Sequence, residues 1–215
     1  MRFVVTAGPT REPIDPVRYI SNRSSGKMGY AIAEAAIEAG HDVVLISGPV
    51  NLDRPTAAKL VSVSTSQEMF DAVHNHIPDC DVLVMSAAVA DYKPTTASKQ
   101  KLKKSDMTLS LELVPTRDIL ASLAKQDRKF LVVGFAAETE NVEANAIKKL
   151  REKNCDVIVA NDARIAMESD ENEVTILFRD GEKKKITRGS KTIIARELIK
   201  IFENVCEKGL TKKIM

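Results

Sequence analysis

The sequence predicts an α/β fold: a doubly wound, Rossmann-like, mostly parallel sheet with an antiparallel β-hairpin near its C-terminal part. Three observations carry this prediction. Short apolar runs recur at Phe3 to Ala7, Val43 to Ser47, Val82 to Ser86, Leu131 to Phe135 and Val157 to Ala160, the pattern of strands covered on both faces. Helical patterns alternate with them, which requires parallel strands joined by right-handed crossovers. From Glu173 to Ile186, two strand-like runs flank Asp180-Gly181, a two-residue hairpin signal.

Taken in order, the first strand is followed by a long polar loop, GPTREPIDPVRYISNRSSGKMG, from Gly8 to Gly29. Strand-to-helix connections usually take about 2 to 6 residues, and one roughly three times longer is normally binding or catalytic apparatus. The first helix is expected over Lys27 to Ala39, stopped by Gly40. A second, Ser66 to Ile77, follows Thr65, with Glu68 completing a capping box. A loop from Asp91 to Lys104 carries Lys93, Lys99, Lys101, Lys103 and Lys104 with few apolar anchors, and is expected to move freely without ligand. Leu109 to Leu113 alternates and suggests a further strand. The next helix, Val142 to Lys153, has Asn141 in position to cap it. The last helix, Ser190 to Glu207, presents an apolar stripe through Ile193, Ile194, Leu198 and Ile201. Residues 1–208 read as one domain and 209–215 as a flexible tail.

Composition narrows the function classes. A chain of 215 residues, 44% hydrophobic and 29% charged, is ordinary for a globular domain. A net charge of +2 and 4% aromatic residues give no case for nucleic acid or a membrane surface. Cys80, Cys155 and Cys206 are odd in number and widely spaced, so they read as reduced packing residues of a cytoplasmic protein. No apolar stretch approaches the roughly 20 residues of a membrane span. His74, His76 and Cys80 sit at a polar helix end without a nearby fourth ligand and read as surface.

Three segments at strand ends could carry chemistry. In the opening loop, Ser24, Ser25, Gly26 and Lys27 at a helix start read as an anion site, or as an ordinary capped helix behind a solvated loop. Ser21 stands where a Walker A loop needs glycine, Met28 where it needs Ser or Thr, and the dinucleotide fingerprint lacks its first glycine. Arg18 offers a fork for carboxylate or phosphate and Asn22 an amide for a carbonyl or oxyanion, or both stabilise the loop. In the second segment, Ser86 to Tyr92, small residues allow close ligand approach and Asp91 is a hard oxygen ligand, or a cap. Mobile lysines nearby suit a triphosphate, though lysine runs are also simply solvated. In the third, Gly134 to Thr139, Phe135 can stack on a base or belong to the core. Lys149 and Lys153, four residues apart, project from one helix face as a phosphate pair or as surface charge. No Ser-His-Asp set, Cys-His set or carboxylate pair is evident.

The segments Thr6 to Gly29, Ser86 to Tyr92 (SAAVADY), Lys101 to Lys104 (KLKK), Thr116 to Leu120 (TRDIL), Val133 to Thr139 (VGFAAET) and Ala160 to Asp162 (AND) occur in one order. In that order they resemble phosphopantothenoylcysteine synthetase, the phosphopantothenate cysteine ligase family of coenzyme A biosynthesis, in its bacterial form. The resemblance implies that the carboxylate of 4'-phosphopantothenate attacks the α-phosphate of CTP. That step releases pyrophosphate, and the amine of L-cysteine then displaces CMP from the acyl cytidylate. The alternatives are the same reaction with ATP, or a nucleotide-binding module without chemistry. Mg²⁺ is implied, with Asp91 near metal and nucleotide. Asn22 and Arg18 match residues that hold the acyl nucleotide, Ala87 and Ala88 line the site, and Lys101 matches a loop lysine of the second half-reaction. Phe135, Lys149 and Lys153 match nucleotide contacts. Thr116, Arg117, Asp118 and Ile119 match another nucleotide segment, although Thr116-Arg117 replaces the Asn-Pro of many bacterial members. A homodimer with a shared active site is implied. Met1 stands directly before the first strand, so neither flavin nor decarboxylase domain is expected in this chain; the alternatives are a separate phosphopantothenoylcysteine decarboxylase as partner, or a ligase domain excised from a longer protein.

Overall fold

A computed structural model describes residues 1–104, 108–162 and 169–212, the last four as backbone only. The parallel part of its sheet is built from β1 (Arg2–Ala7), β4 (Asp42–Ser47), β5 (Lys59–Ser62), β6 (Val82–Met85), β9 (Leu131–Glu138) and β10 (Val157–Asp162). Two antiparallel strands, β11 (Glu171–Phe178) and β12 (Lys183–Ser190), complete an eight-stranded sheet in the order β12-β11-β10-β9-β6-β1-β4-β5. Reading outward from β1, the chain winds one way through β4 and β5 and the other through β6, β9 and β10. This is the doubly wound order expected from the alternating runs, and it leaves a crevice where β1 and β6 part.

Alternation along β1 assigns the two faces. Phe3, Val5 and Ala7 pack with α1 (Lys27–Glu38) and α5 (Lys191–Lys212), while Val4 packs with α2 (Ser66–His76), α3 (Ile119–Ala124) and α4 (Val142–Glu152). The α1 helix lies unusually close to the sheet at Gly29. A Cβ there would stand 2.6 Å from the Ala7 Cβ and 2.6 Å from the Ser86 Oγ, so only glycine lets helix and strand approach this far.

Several boundaries differ from those the sequence suggests. The α5 helix starts at Lys191 and continues to Lys212, beyond the expected end at Glu207; residues 213–215 of the expected tail lie outside the described residues. Ile193 is 54% exposed, and the buried stripe of α5 runs through Ile194, Leu198, Ile199, Ile201 and Phe202. Ile193 lies about 100° around the helix from Ile194 and so turns to solvent. Asn141 precedes α4 but is left-handed (φ 49°) and makes no side-chain cap, whereas Thr65 and Glu68 form the capping box of α2. The β11–β12 turn has three residues: Gly181 N–H donates to Phe178 O (3.1 Å) and Phe178 N–H to Glu182 O (3.0 Å), with Gly181 at φ 92°. That is a turn followed by a left-handed bulge residue. Of Leu109 to Leu113, only Leu113 is in a strand, β8 (Leu113–Pro115), which pairs with β7 (Tyr92–Pro94). Leu109, Leu111 and Leu113 are exposed, so their alternation has no buried face.

The opening loop folds as a small ribbon of β2 (Arg11–Pro13) and β3 (Tyr19–Ser21). It is fastened to the body by Glu12, only 1% exposed, whose carboxylate accepts the N–H of Ser66 at the start of α2 (2.7 Å). A carboxylate suits that helix end, where N–H groups and dipole are both positive.

Candidate active site

At the crevice, the loops after β1 and β6 are sewn together. Gly8 O accepts from Ala88 N–H (2.9 Å) and Ala88 O from Thr10 N–H (3.2 Å). The fully buried Thr6 and Thr10 hydroxyls accept from the N–H groups of Ala87 (3.1 Å) and Ala90 (3.0 Å). The paired small residues at 87 and 88 therefore present backbone to a cavity of about 400 Å³, a size that suits a small ligand.

Asn22 to Gly29, Ser86 to Val89, Asp91, Phe135, Ala137, Lys149, Asn161, Asn172 and Lys191 form its wall. Among the residues expected from sequence, this wall gathers Asn22, Ser24, Ser25, Gly26, Lys27, Ala87, Ala88, Asp91, Phe135 and Lys149. Gly26 is left-handed (φ 76°) and, as the residue before α1, makes no side-chain cap; the Lys27 N–H donates to the Ser25 Oγ (3.5 Å), and the N–H groups that follow it in the first turn point toward an anion. The Lys27 ammonium pairs with Asp170 (2.5 Å), and the Lys149 ammonium donates to Phe135 O (2.7 Å). Asn22 uses its amide N–H₂ on the carbonyls of Ala88 (3.1 Å) and Val89 (3.2 Å), so it braces the junction of the two loops.

The remaining residues sit outside the wall. Thr116 is bound to its edge: its N–H donates to Asp91 O (2.9 Å) and its hydroxyl to Ala90 O (2.6 Å). Asp118 caps α3 through Ala121 N–H (2.8 Å) and pairs with Lys153 (2.6 Å). The hydrogen bond that Lys153 donates to Asp118 raises the Lys153 pKa, with the charges of Glu152 and Asp91 adding to it. Ile119 is buried. The Arg117 guanidinium lies over the Phe70 ring, 3.6 Å from its centroid, and is turned onto α2. Arg18 and Lys101 also stand outside the wall; Arg18 bonds Asp15 (2.5 Å) and the carbonyl of Leu102 (2.5 Å).

Lys191, Asn161 and Asn172 were not anticipated. Lys191 is 8% exposed, donates to Ser169 O (2.6 Å) and begins α5 as Lys27 begins α1. Burial, with repulsion from Lys27, pulls its pKa below the ordinary value. Gly189-Ser190-Lys191 repeats the Ser-Gly-Lys composition of the opening loop, a signal the sequence did carry. Asn161 is the last but one residue of β10 and Asn172 the second of β11, and only strand register brings them to this end of the sheet.

Among the described residues, no group of three or more His, Cys, Asp and Glu is placed to hold a metal, and Asp91 is the one carboxylate of the wall. The ring nitrogens of His74 and His76 bond the carbonyls of Phe70 and Ala72, both at 2.8 Å. The three cysteines are free, and burial pushes their thiols up, Cys80 to about 12 and Cys155 and Cys206 to about 11, so they are poor nucleophiles. No described helix is long and apolar enough to cross a membrane.

Residues 1–205 match the family model of the DNA/pantothenate metabolism flavoprotein C-terminal domain. The chain is 46% identical over 200 residues to the coenzyme A biosynthesis bifunctional protein CoaBC of Bacillus subtilis, covering 91% of this chain and 49% of that protein. To CoaBC of Escherichia coli it is 46% identical over 190 residues, 85% of this chain and 47% of that one. It therefore spans about half the length of these relatives. The crystal structure of a CoaBC C-terminal domain superposes with a TM-score of 0.84 at 45% identity over 96% of both chains. A Cab2 mutant in complex with phosphopantothenate-cysteine shares the fold, with a TM-score of 0.84 at 15% identity, covering 100% of this chain and 89% of that one. The chain belongs to the DNA/pantothenate metabolism flavoprotein C-terminal domain family.

Proposed function

We propose that this chain is a phosphopantothenate-cysteine ligase of coenzyme A biosynthesis, using CTP. The carboxylate of 4'-phosphopantothenate attacks the α-phosphorus of CTP and pyrophosphate leaves. The nitrogen of cysteine then attacks the acyl carbon of the cytidylate, losing a proton as CMP departs, and an amide results. The observation that carries this reading is the single cavity joining an uncapped helix start with Lys27, an apposed pair of loops, and Asp91 with Phe135 and Lys149. Two anionic substrates and a transition state that develops charge are served by such a set through positioning and neutralisation.

In this reading the phosphate of phosphopantothenate is held at the α1 start, where Lys191 adds charge. The nucleotide lies toward Phe135, with Lys149 and the Lys153–Asp118 pair at its phosphates. Asp91 fits Mg²⁺ shared with a triphosphate, because that ion is usually held by one or two carboxylates plus phosphate oxygens; when bound it neutralises phosphate charge. CTP is assigned because the motifs resemble the bacterial branch. A homodimer is assigned because the two ribbons expose Val17 (60%), Tyr19 (49%), Tyr92 (54%) and Leu113 (43%), and a second copy would cover them.

Steady-state assays with phosphopantothenate, cysteine, Mg²⁺ and either CTP or ATP test the reading. Product and pyrophosphate are expected with CTP. Product with ATP alone would overturn the nucleotide, and no product with either would overturn the ligase.

A further inference from the structure

The lysine loop is attached to the opening loop at Leu102 by a pair of charged side chains. The Asp15 side chain is fully buried (0% exposed), yet its carboxylate accepts from Val17 N–H (2.8 Å), Arg18 N–H (2.9 Å), Arg18 Nε (2.9 Å), Arg18 Nη2 (2.5 Å) and Leu102 N–H (3.1 Å). The same Arg18 Nη2 donates to Leu102 O (2.5 Å). Both polar groups of the Leu102 backbone are thus gripped, one by the carboxylate and one by the guanidinium. Ser98 N–H adds a bond to Ile14 O (2.9 Å). Leu102 is half-buried, while Lys101 and Lys103 on either side are exposed.

We infer that Asp15 is a positioning residue, which fixes Arg18 in the opening loop and, through Leu102, sets where Lys101 is presented. The exposed ammonium of Lys101 has no packing of its own to place it, so its location follows from the residue beside it. A carboxylate is required because every group it meets is a donor; an amide would turn its N–H₂ toward one of them. The rate consequence rests on the ligase reading, since Lys101 acts there when cysteine attacks.

The test compares wild type with Asp15→Asn. Limited trypsin digestion of the folded protein, followed by mass spectrometry, reads release of the loop at Lys99, Lys101, Lys103 and Lys104. Cleavage there should rise at least about tenfold, the loss expected for a hydrogen bond to a charged group, with other sites unchanged. Single-turnover measurements should show amide formation slowed more than acyl-nucleotide formation, a split that general destabilisation would not produce. Leu102→Pro removes the N–H that Asp15 holds, together with the half-buried leucine side chain, and leaves the residues of the Asp15–Arg18 pair unaltered; should Asp15→Asn not fold, this variant gives the same two readings at Lys99, Lys103 and Lys104. Unchanged loop cleavage in both variants, or equal slowing of the two steps, would overturn the inference. If wild type forms no acyl nucleotide, the ligase reading fails and the digestion alone decides the clamp.

Discussion

The amide nitrogen of Asn22 donates to Ala88 O at 3.1 Å and to the adjacent Val89 O at 3.2 Å, so the opening loop and the loop after β6 share one fastening at the mouth of the cavity. Asn22→Asp sets a carboxylate against both carbonyls and removes both donors. Turnover is expected to fall by about 10²-fold or more, comparable to losing a site donor. Wild-type turnover in a folded variant would remove Asn22 from the site.

Lys191 gives a prediction of binding and of proton uptake. With an anion beside it, the repulsion and burial that depress its pKa are offset, so the bound form holds the proton to higher pH. Calorimetry in alkaline buffers of different ionisation enthalpy should show protons taken up as phosphopantothenate binds. Lys191→Gln should weaken binding about tenfold or more and abolish the uptake. Unaltered affinity would count against Lys191 as a phosphate ligand.

Gly29 closes the opening loop inside the first turn of α1, and its close packing against β1 gives it a reason to be glycine. A methyl group at Gly29 collides with Ala7 and Ser86, and overpacking of this kind typically costs about 1 to 3 kcal/mol. For a chain of this size Gly29→Ala should lower Tm by roughly 2 to 12 °C, which thermal unfolding followed by circular dichroism would read. An unchanged Tm would mean that α1 can move away from β1 at no cost.

Asp15 carries an acid signature. The Arg18 hydrogen bond outweighs burial and, with the N–H groups of Val17, Leu102 and Arg18, holds its carboxyl well below the ordinary value of 3.8. The unfolded chain therefore takes up this proton first. The associated stability is fully present above the unfolded value near 3.8 and is lost as pH falls toward the lower folded value. Unfolding midpoints between roughly pH 6 and pH 3 should fall more steeply for wild type than for Asp15→Asn; parallel curves would exclude the pair as a source of acid sensitivity.

The sheet was legible because five of its parallel strands are buried on both faces and read as unbroken apolar runs. β5 was not, since Lys59-Leu60-Val61-Ser62 is a half-buried edge strand of four residues with neither an apolar run nor strict alternation. The ribbon β2–β3 was hidden because Glu12, a charged residue, is the one it buries. At the site, residues carried on long distinctive loops were found, and Lys191 was passed over as an ordinary helix start. Asn161 was quoted only as part of a motif, because its place in the wall depends on how β10 aligns with β9. The Asp15 clamp joins residues 87 positions apart, a relation no local pattern encodes.

An acyl nucleotide made in this cavity is detected most directly when cysteine is omitted. Protein, phosphopantothenate, Mg²⁺ and CTP, quenched and examined by mass spectrometry, should yield phosphopantothenoyl cytidylate with an equal amount of pyrophosphate, and later addition of cysteine should convert it to the amide and CMP. Absence of an acyl nucleotide with both CTP and ATP, in protein shown by calorimetry to bind phosphopantothenate, would contradict the ligase reading.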